Sequence, residues 1–362
     1  MRQAAAPKKP VRVLIVDDSK VVRASIGKIL NEVAAQVKIV GYAEDGKSAL
    51  EALDVCDPDI VILDLAMPGM NGITALPLIL QKRPHIRVVV CSSLTTQGAE
   101  MSVMAMSLGA ADCVPKPVGT KNSKAIAEFK TALTNAVLGL SEKLQQQSAP
   151  AGPVSSGIIT EMANFQPRIV AIGGSTGGPN ALISLFREMG PVPVPVVITQ
   201  HMMEIFTAIL ARQIKQETGI DCYEGQEGML LEPSKVYLAA GGKHMMLKRS
   251  GRGVAIRLDD GPPENFCKPS ADAMIRSAVE VYGADVLGII LTGMGKDGLA
   301  GCDAIAKAGG RVLVQDQETS IVWGMPGSVA NAGLATAILP VSGIARTVRG
   351  LFDEPDLPQG VP

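Results

Sequence analysis

The chain of 362 residues is long enough for two domains, each with its own core. Its 34 basic and 35 acidic side chains leave a net charge of −1, and aromatic residues make up only 3 %, which argues against a polyanion-binding face and against a platform for stacking single-stranded bases, so no nucleic acid is expected as a partner. A hydrophobic fraction of 47 % with 19 % charged residues excludes a disordered chain. From Val11 the apolar runs VRVLIVD, KIVGYA, DIVILDL, RVVVCSS and DCVPKP alternate with helical-length segments, which predicts a five-stranded parallel α/β sheet. Its last helix is expected over about 123–146, with Ile126, Phe129, Leu133, Val137 and Leu144 on one face. The stretch 146–167, mixing Gln, Ser, Gly and Pro without a period, reads as a linker. Beyond it the pattern restarts in RIVAIGG, PVVITQ, KVYLAA, DVLGIILTG and RVLVQD, with helices expected after Gly178, Met203, Ser270, Gly298 and Pro340. A hairpin is expected in HMMLKRSGRGVAIRLDD. The second domain is thus a doubly wound, mostly parallel α/β sheet with a β-hairpin. No apolar run reaches the 18 residues of a membrane span, and the paired acids of VRVLIVDDSK interrupt any signal-peptide core, so a cytoplasmic protein without direct membrane insertion is expected. The cysteines Cys56, Cys91, Cys113, Cys222, Cys267 and Cys302 are scattered without a CxxC pair and read as buried reduced thiols, with no zinc site indicated.

In the first half Asp17 and Asp18 close the first strand and Asp64 the third, so all three fall at the carboxyl edge of the sheet, where ligands of open α/β sheets bind. Gathered carboxylates repel one another, a cost that makes sense around a hard divalent cation, with Mg²⁺ the natural choice. Helix capping by Asp18 and Ser19 is the simpler alternative if the acids stood alone. Ser92 and Lys116 end the fourth and fifth strands and add a hydroxyl and a cation, which completes a set for phosphoryl transfer to a carboxylate. VDDS, DLAMPGMNG, CSSLT and PKP, in this order, resemble the receiver domain of bacterial two-component response regulators over 11–145. The resemblance implies a flavodoxin-like fold, Asp64 as phospho-acceptor, Asp17, Asp18 and Asp64 as Mg²⁺ ligands with the Ala66 carbonyl, and Ser92 and Lys116 as phosphoryl-sensing groups. Ala66, Asn71 and Cys113 depart from the common receiver pattern, which leaves the conformational relay open.

In the second half RIVAIGGSTGGPNAL runs a strand through a glycine-rich turn into a helix, placing Ser175 at a helix N-terminus. The glycine spacing does not match a dinucleotide fingerprint, and the Gly-Lys-Ser/Thr of a P-loop is missing, so a bare anion nest is what remains of a nucleotide reading. Gly173-Gly174-Ser175-Thr176-Gly177 does match G-x-S-x-G, the turn that exposes a nucleophilic serine. A serine needs a base, and the chain offers only His85, His201 and His244. His85 reads as a surface histidine; His201 follows an apolar strand as Ser175 does; His244 is the runner-up, with packing or site lining its simpler role. Asp297, after DVLGIILTG, is the candidate orienting acid, against the alternative of a helix N-cap. The order Ser175, His201, Asp297 differs from that of α/β-hydrolases.

GGSTGG, TQHM, TGMGKDG and WGMPGSV, spread over 168–352, resemble the catalytic domain of the chemotaxis protein-glutamate methylesterases, and a receiver in front matches their layout. The resemblance implies hydrolysis of γ-glutamyl methyl esters on the cytoplasmic helices of methylated chemoreceptors to glutamate and methanol, with deamidation of receptor glutamines as a second activity and no cofactor for the esterase. It implies the Met294 backbone N–H as an oxyanion donor, Thr176, Met294 and Met325 at the oxyanion site or its lining, a chemotaxis histidine kinase as phosphodonor, and an unphosphorylated receiver that blocks the cleft. A transcriptional regulator would instead carry a basic or helix-turn-helix output half, whereas the residues after Gln147 carry 17 basic and 21 acidic side chains. A catalytically idle, receptor-binding scaffold is the remaining alternative.

Overall fold

The computed structural model describes residues 9–117, 123–146, 162 and 165–352. The chain divides into two compact units with the break between residues 151 and 152. The segment expected as a linker lies outside the described residues, apart from Gln146, Met162 and 165–167.

The first unit holds five parallel strands, β1 (Val11–Val16), β2 (Val37–Ala43), β3 (Ile60–Asp64), β4 (Arg87–Ser93) and β5 (Asp112–Lys116), in the order β2-β1-β3-β4-β5. Every residue of β3 is buried, as the unbroken apolar run of a strand covered on both faces requires. The order reverses between β1 and β3, so the crevice outside their carboxyl ends lies between Asp17 and Asp64. The helix Ser123–Gln146 has the expected extent. It buries Phe129, Leu133, Ala136, Val137 and Leu140, while Ile126 at its start is exposed and Leu144 only half-buried.

The second unit is built on seven parallel strands: β6 (Ile169–Gly174), β7 (Val196–Gln200), β8 (Cys222–Glu224), β9 (Val236–Leu238), β12 (Val286–Ile290), β13 (Arg311–Gln315) and β14 (Ala337–Leu339), ordered β14-β13-β12-β6-β7-β9-β8. Side chains of β6 alternate between two cores. Val170 and Ile172 pack with Leu182, Phe186, Leu210 and Ile344 from the helices Gly178–Met189, Glu204–Thr218 and Val341–Gly350. Ile169 and Ala171 face Met274, Ile275, Cys302 and Ile305 from the helices Ala271–Tyr282 and Leu299–Ala308. The hairpin β10 (His244–Ser250) and β11 (Gly253–Asp259) is a separate antiparallel pair that adds Met245, Leu247 and Ile256 to this second core. The three-residue strands β8 and β14 form the sheet edges, with the equally short β9 inside β8. Winding reverses between β6 and β12, so the crevice of this sheet opens beside Ser175. Among the described residues no helix is long and apolar enough to cross a membrane.

Candidate active site

In the first unit Lys116 reaches back across the sheet edge, its Nζ 2.6 Å from Asp17 Oδ2 and 2.8 Å from Asp64 Oδ2. Asp17 and Asp64 are buried, Asp18 is exposed, and the three acids offer oxygens within 4.8 Å of one another. Burial pushes the Asp64 carboxyl above its ordinary value and Lys116 only partly offsets this, while Asp17 adds to the rise. Burial pulls Lys116 down, but its bonds to both acids outweigh that and hold it charged. One ammonium thus pairs with two of three carboxylates that supply oxygen donors only, a set that fits Mg²⁺. Ser92 is buried and its hydroxyl pairs with Ser102 on the helix Thr96–Ser107. Asn71 caps the helix Gly72–Lys82 by accepting from Thr74 N–H at 2.9 Å. Ser19 caps the helix Lys20–Asn31, so the capping role considered for Asp18 and Ser19 falls to the serine.

In the second unit strand register assembles the site. Gly174 pairs with Gln200 across β6 and β7, and His201 N–H donates to Gly174 C=O at 3.0 Å, which sets Ser175 and His201 side by side just past two adjacent strands. On the other flank of β6 the Ser175 N–H donates to Thr292 C=O at 3.0 Å, bringing up the segment after β12 that carries Asp297. The turn after β6 needs its glycines. Gly177 takes a left-handed φ of 79°, and a Cβ on Gly178 would stand 1.9 Å from Gln200 Oε1. That buried amide donates through Nε2 to the Ser175 carbonyl at 2.7 Å and to the His201 carbonyl at 3.4 Å, tying the two turns together.

His201 Nε2 and Asp297 Oδ2 are 2.7 Å apart, with the imidazole 14 % and the carboxylate 1 % exposed. Asp297 does not cap its own helix, Leu299–Ala308, whose N-cap is Gly298. It sits instead on the N-terminus of the helix Ala271–Tyr282. Its Oδ2 accepts from Ala271 N–H at 2.7 Å, and its Oδ1 from Ser270 Oγ at 2.7 Å, Asp272 N–H at 3.2 Å and Asn265 Nδ2 at 3.3 Å. Burial raises the Asp297 carboxyl, but His201 and these donors more than reverse that and keep it ionised. Because an ionised carboxylate only accepts, His201 Nε2 carries the proton and Nδ1 is the free basic nitrogen. Burial pulls His201 down; the bond to Asp297 and a contact with Cys267 outweigh it, so its pKa ends above the ordinary histidine value.

Ser175 is half-buried, and among the described residues its hydroxyl makes no hydrogen bond to His201. His201 Nδ1 instead faces Cys267 Sγ at 3.6 Å. Met294 is half-buried and, among the described hydrogen bonds, its backbone N–H has no acceptor, as an oxyanion donor requires. Met325 is fully buried: rather than lining an open cleft, it packs beneath the turn, against the backbone of Gly173 and Gly293. Thr176 is also buried, its carbonyl accepting from Thr292 Oγ1 at 2.9 Å. His244 does not reach the serine. Its Nε2 meets the Pro262 carbonyl at 3.0 Å and its Nδ1 accepts from Ser270 N–H at 3.1 Å, so it steadies the helix cap beneath Asp297. His85 is exposed, in the first unit. Cys91, Cys222 and Cys302 are buried as expected, but Cys56, Cys113 and Cys267 are only half-buried. Asn265, Cys267 and Ser270 escaped the sequence reading, because only the fold brings their loop back onto Asp297 and His201.

A lysine among strand-end carboxylates on a five-stranded parallel sheet is receiver architecture. A serine beside a histidine–carboxylate pair at the strand ends of a doubly wound sheet is an arrangement of the kind that serine hydrolases use. Family models agree with both halves: the response regulator receiver domain matches residues 13–128 and CheB methylesterase matches 170–348. A protein-glutamate methylesterase/protein-glutamine glutaminase of Nitrobacter hamburgensis is 40 % identical over 95 % of this chain and 94 % of its own. One from Paramagnetospirillum magneticum is 41 % identical over 92 % and 94 %. The Thermotoga maritima CheB methylesterase catalytic domain is 36 % identical, covering 52 % of this chain and 100 % of that chain, with a TM-score of 0.50. The chain belongs to the protein-glutamate methylesterase/protein-glutamine glutaminase family.

Proposed function

We propose that the chain is a serine esterase that hydrolyses γ-glutamyl methyl esters on the cytoplasmic helices of chemoreceptors, deamidates glutamines at equivalent sites, and is switched on by phosphorylation at Asp64. The observation that carries the esterase reading is the His201–Asp297 pair beside Ser175, with the acid fixed by a helix N-terminus. Ser175 Oγ attacks the ester carbonyl as His201 Nδ1 takes its proton. Asp297 stabilises the imidazolium, and the Met294 N–H meets the oxyanion. His201 then returns the proton to the departing methoxide, and methanol leaves. Water repeats the sequence on the acyl-enzyme, giving glutamate. With a carboxamide substrate the leaving group is ammonia.

In the first unit, Asp17, Asp18 and Asp64 would hold Mg²⁺, whose charge offsets that of the phosphoryl oxygens. Asp64 takes the phosphoryl group from a chemotaxis histidine kinase. Lys116, already charged and within 2.8 Å of Asp64, pairs with the new dianion, and Ser92 must exchange Ser102 for a phosphoryl oxygen. Such rebonding at the end of β4 is a local change of the kind that biases a two-state surface. Methanol release from methylated receptor membranes tests the esterase reading: the wild-type chain should release it and folded Ser175→Ala should not. Equal release by both would overturn the reading.

A further inference from the structure

The loop after β11 makes a tight turn in which Asn265 and Phe266 both take left-handed backbone angles, φ 51° and 64°. Glu264 and Cys267 close it with reciprocal backbone hydrogen bonds of 3.0 and 2.8 Å. The turn throws Phe266 fully into solvent, anchors Asn265 on Asp272 at 2.8 Å and Asp297 at 3.3 Å, and tucks the Cys267 thiol toward His201 Nδ1. The thiol is only half-buried, unlike Cys91, Cys222 and Cys302. It therefore sits, reachable, on the one nitrogen that the proposed chemistry needs free.

We propose that Cys267 Sγ and His201 Nδ1 form a binding site for a thiophilic divalent cation, zinc foremost, that reversibly shuts the esterase by occupying its base. The inference rests on the reading of His201 as that base. A zinc ion about 2.3 Å from sulfur and about 2.0 Å from nitrogen, at a tetrahedral angle, spans a sulfur-to-nitrogen distance of about 3.5 Å. The two atoms stand 3.6 Å apart. The outer shell is also in place. A metal-ligating histidine commonly donates its second ring N–H to a carboxylate, and His201 Nε2 does so to Asp297 at 2.7 Å. His201, Cys267 and Asp297 present ligand atoms within 4.8 Å of one another. On binding, the thiol proton and, from the imidazolium form, the Nδ1 proton leave for solvent, sulfur and Nδ1 each donate an electron pair, and water fills the remaining positions. The thiolate and the Asp297 carboxylate balance the two positive charges, so the occupied cluster is neutral. Two protein ligands rather than four make the site exchangeable, as suits an inhibitory cation rather than a structural one. With Nδ1 occupied, the serine proton has no acceptor.

The test uses the full chain with excess Mg²⁺ to fill the carboxylate cluster of the first unit. Cobalt(II), added as a spectroscopic stand-in for zinc, should give a thiolate-to-metal charge-transfer band at one equivalent in the wild-type chain. The band should vanish in Cys267→Ala and in the near-isosteric Cys267→Ser. Zinc should suppress methanol release by the wild-type chain, a chelator should restore it, and at least about tenfold more zinc should be needed with either variant, each read against its own metal-free rate. No band in the wild-type chain, an undiminished band in the variants, or equal zinc sensitivity would overturn the site. The band is read without turnover, so the two readings separate. A chain that binds cobalt through Cys267 but releases no methanol contradicts the esterase and keeps the metal site, whereas the opposite pattern contradicts the metal site alone.

Discussion

Replacing Asp297 by asparagine removes one charge and almost no volume, and its cost can be worked from the five hydrogen bonds the carboxylate accepts. An amide has only one accepting end. With its oxygen in the place of Oδ2, its NH₂ meets the Asp272 N–H and the Asn265 amide, donor against donor. Flipped, the NH₂ meets the Ala271 N–H and forces His201 into the tautomer protonated at Nδ1, which cannot accept the serine proton. Either way the charge opposite the imidazolium is gone. The same change behind the histidine of other serine hydrolases costs about 10⁴-fold in kcat, or about 5 kcal/mol of barrier, and a loss of about 10³- to 10⁴-fold is expected here. The pH profile provides an independent sign. His201 titrates above its ordinary value, so the neutral base, and with it kcat/KM, grows as pH rises through that shifted value. Without the Asp297 charge one of the groups holding the imidazole up is lost, so the rising limb should move to lower pH than in the wild type. Initial rates of methanol release across that limb measure both effects, and urea denaturation checks the fold, where losing an anion from a helix N-terminus costs about 1–2 kcal/mol. A variant within about tenfold of wild type, with its limb unmoved, would mean that Asp297 does not act on the His201 imidazole.

Three further outcomes follow from the geometry. Gly178→Ala forces Gln200 off the carbonyls of Ser175 and His201, which should cost about 1–3 kcal/mol in chemical denaturation and lower kcat more than it raises KM. Lys116→Ala leaves Asp17 and Asp64 buried without their cation and should destabilise the first unit by about 3 kcal/mol in chelator, a deficit that added Mg²⁺ narrows in the same urea titration. Ser270→Ala removes both a helix cap and a donor to Asp297, so a loss of about 1 kcal/mol should accompany a partial fall in rate, measured side by side by denaturation and methanol release.

The strands that build both sheets are legible in the sequence because buried parallel strands are continuous apolar runs, and both polar clusters are legible because they sit at strand ends. What escaped was short or distant. The edge strands Cys222–Glu224 and Ala337–Leu339 span only three residues each, and the helix Met325–Asn331 begins in a Gly-Met-Pro sequence that reads as a turn. The ring of donors around Asp297 was illegible for another reason. Ser270 and Asn265 lie 27 and 32 residues from it, and Cys267 lies 66 from His201, so no local spacing announces them. The same holds for His244, whose role in holding Ser270 depends on where the hairpin packs.

In the proposed function one chain couples phosphoryl transfer in its first unit to ester hydrolysis in its second. The most direct measurement is methanol release from methylated receptor membranes with Mg²⁺, with and without a small phosphodonor, for the wild type, Asp64→Ala and Ser175→Ala. Release should rise with phosphodonor in the wild type, stay low and indifferent to phosphodonor in Asp64→Ala, and be absent in Ser175→Ala. A clear phosphodonor response in Asp64→Ala, or a wild-type rate that phosphodonor leaves unchanged, would contradict that coupling.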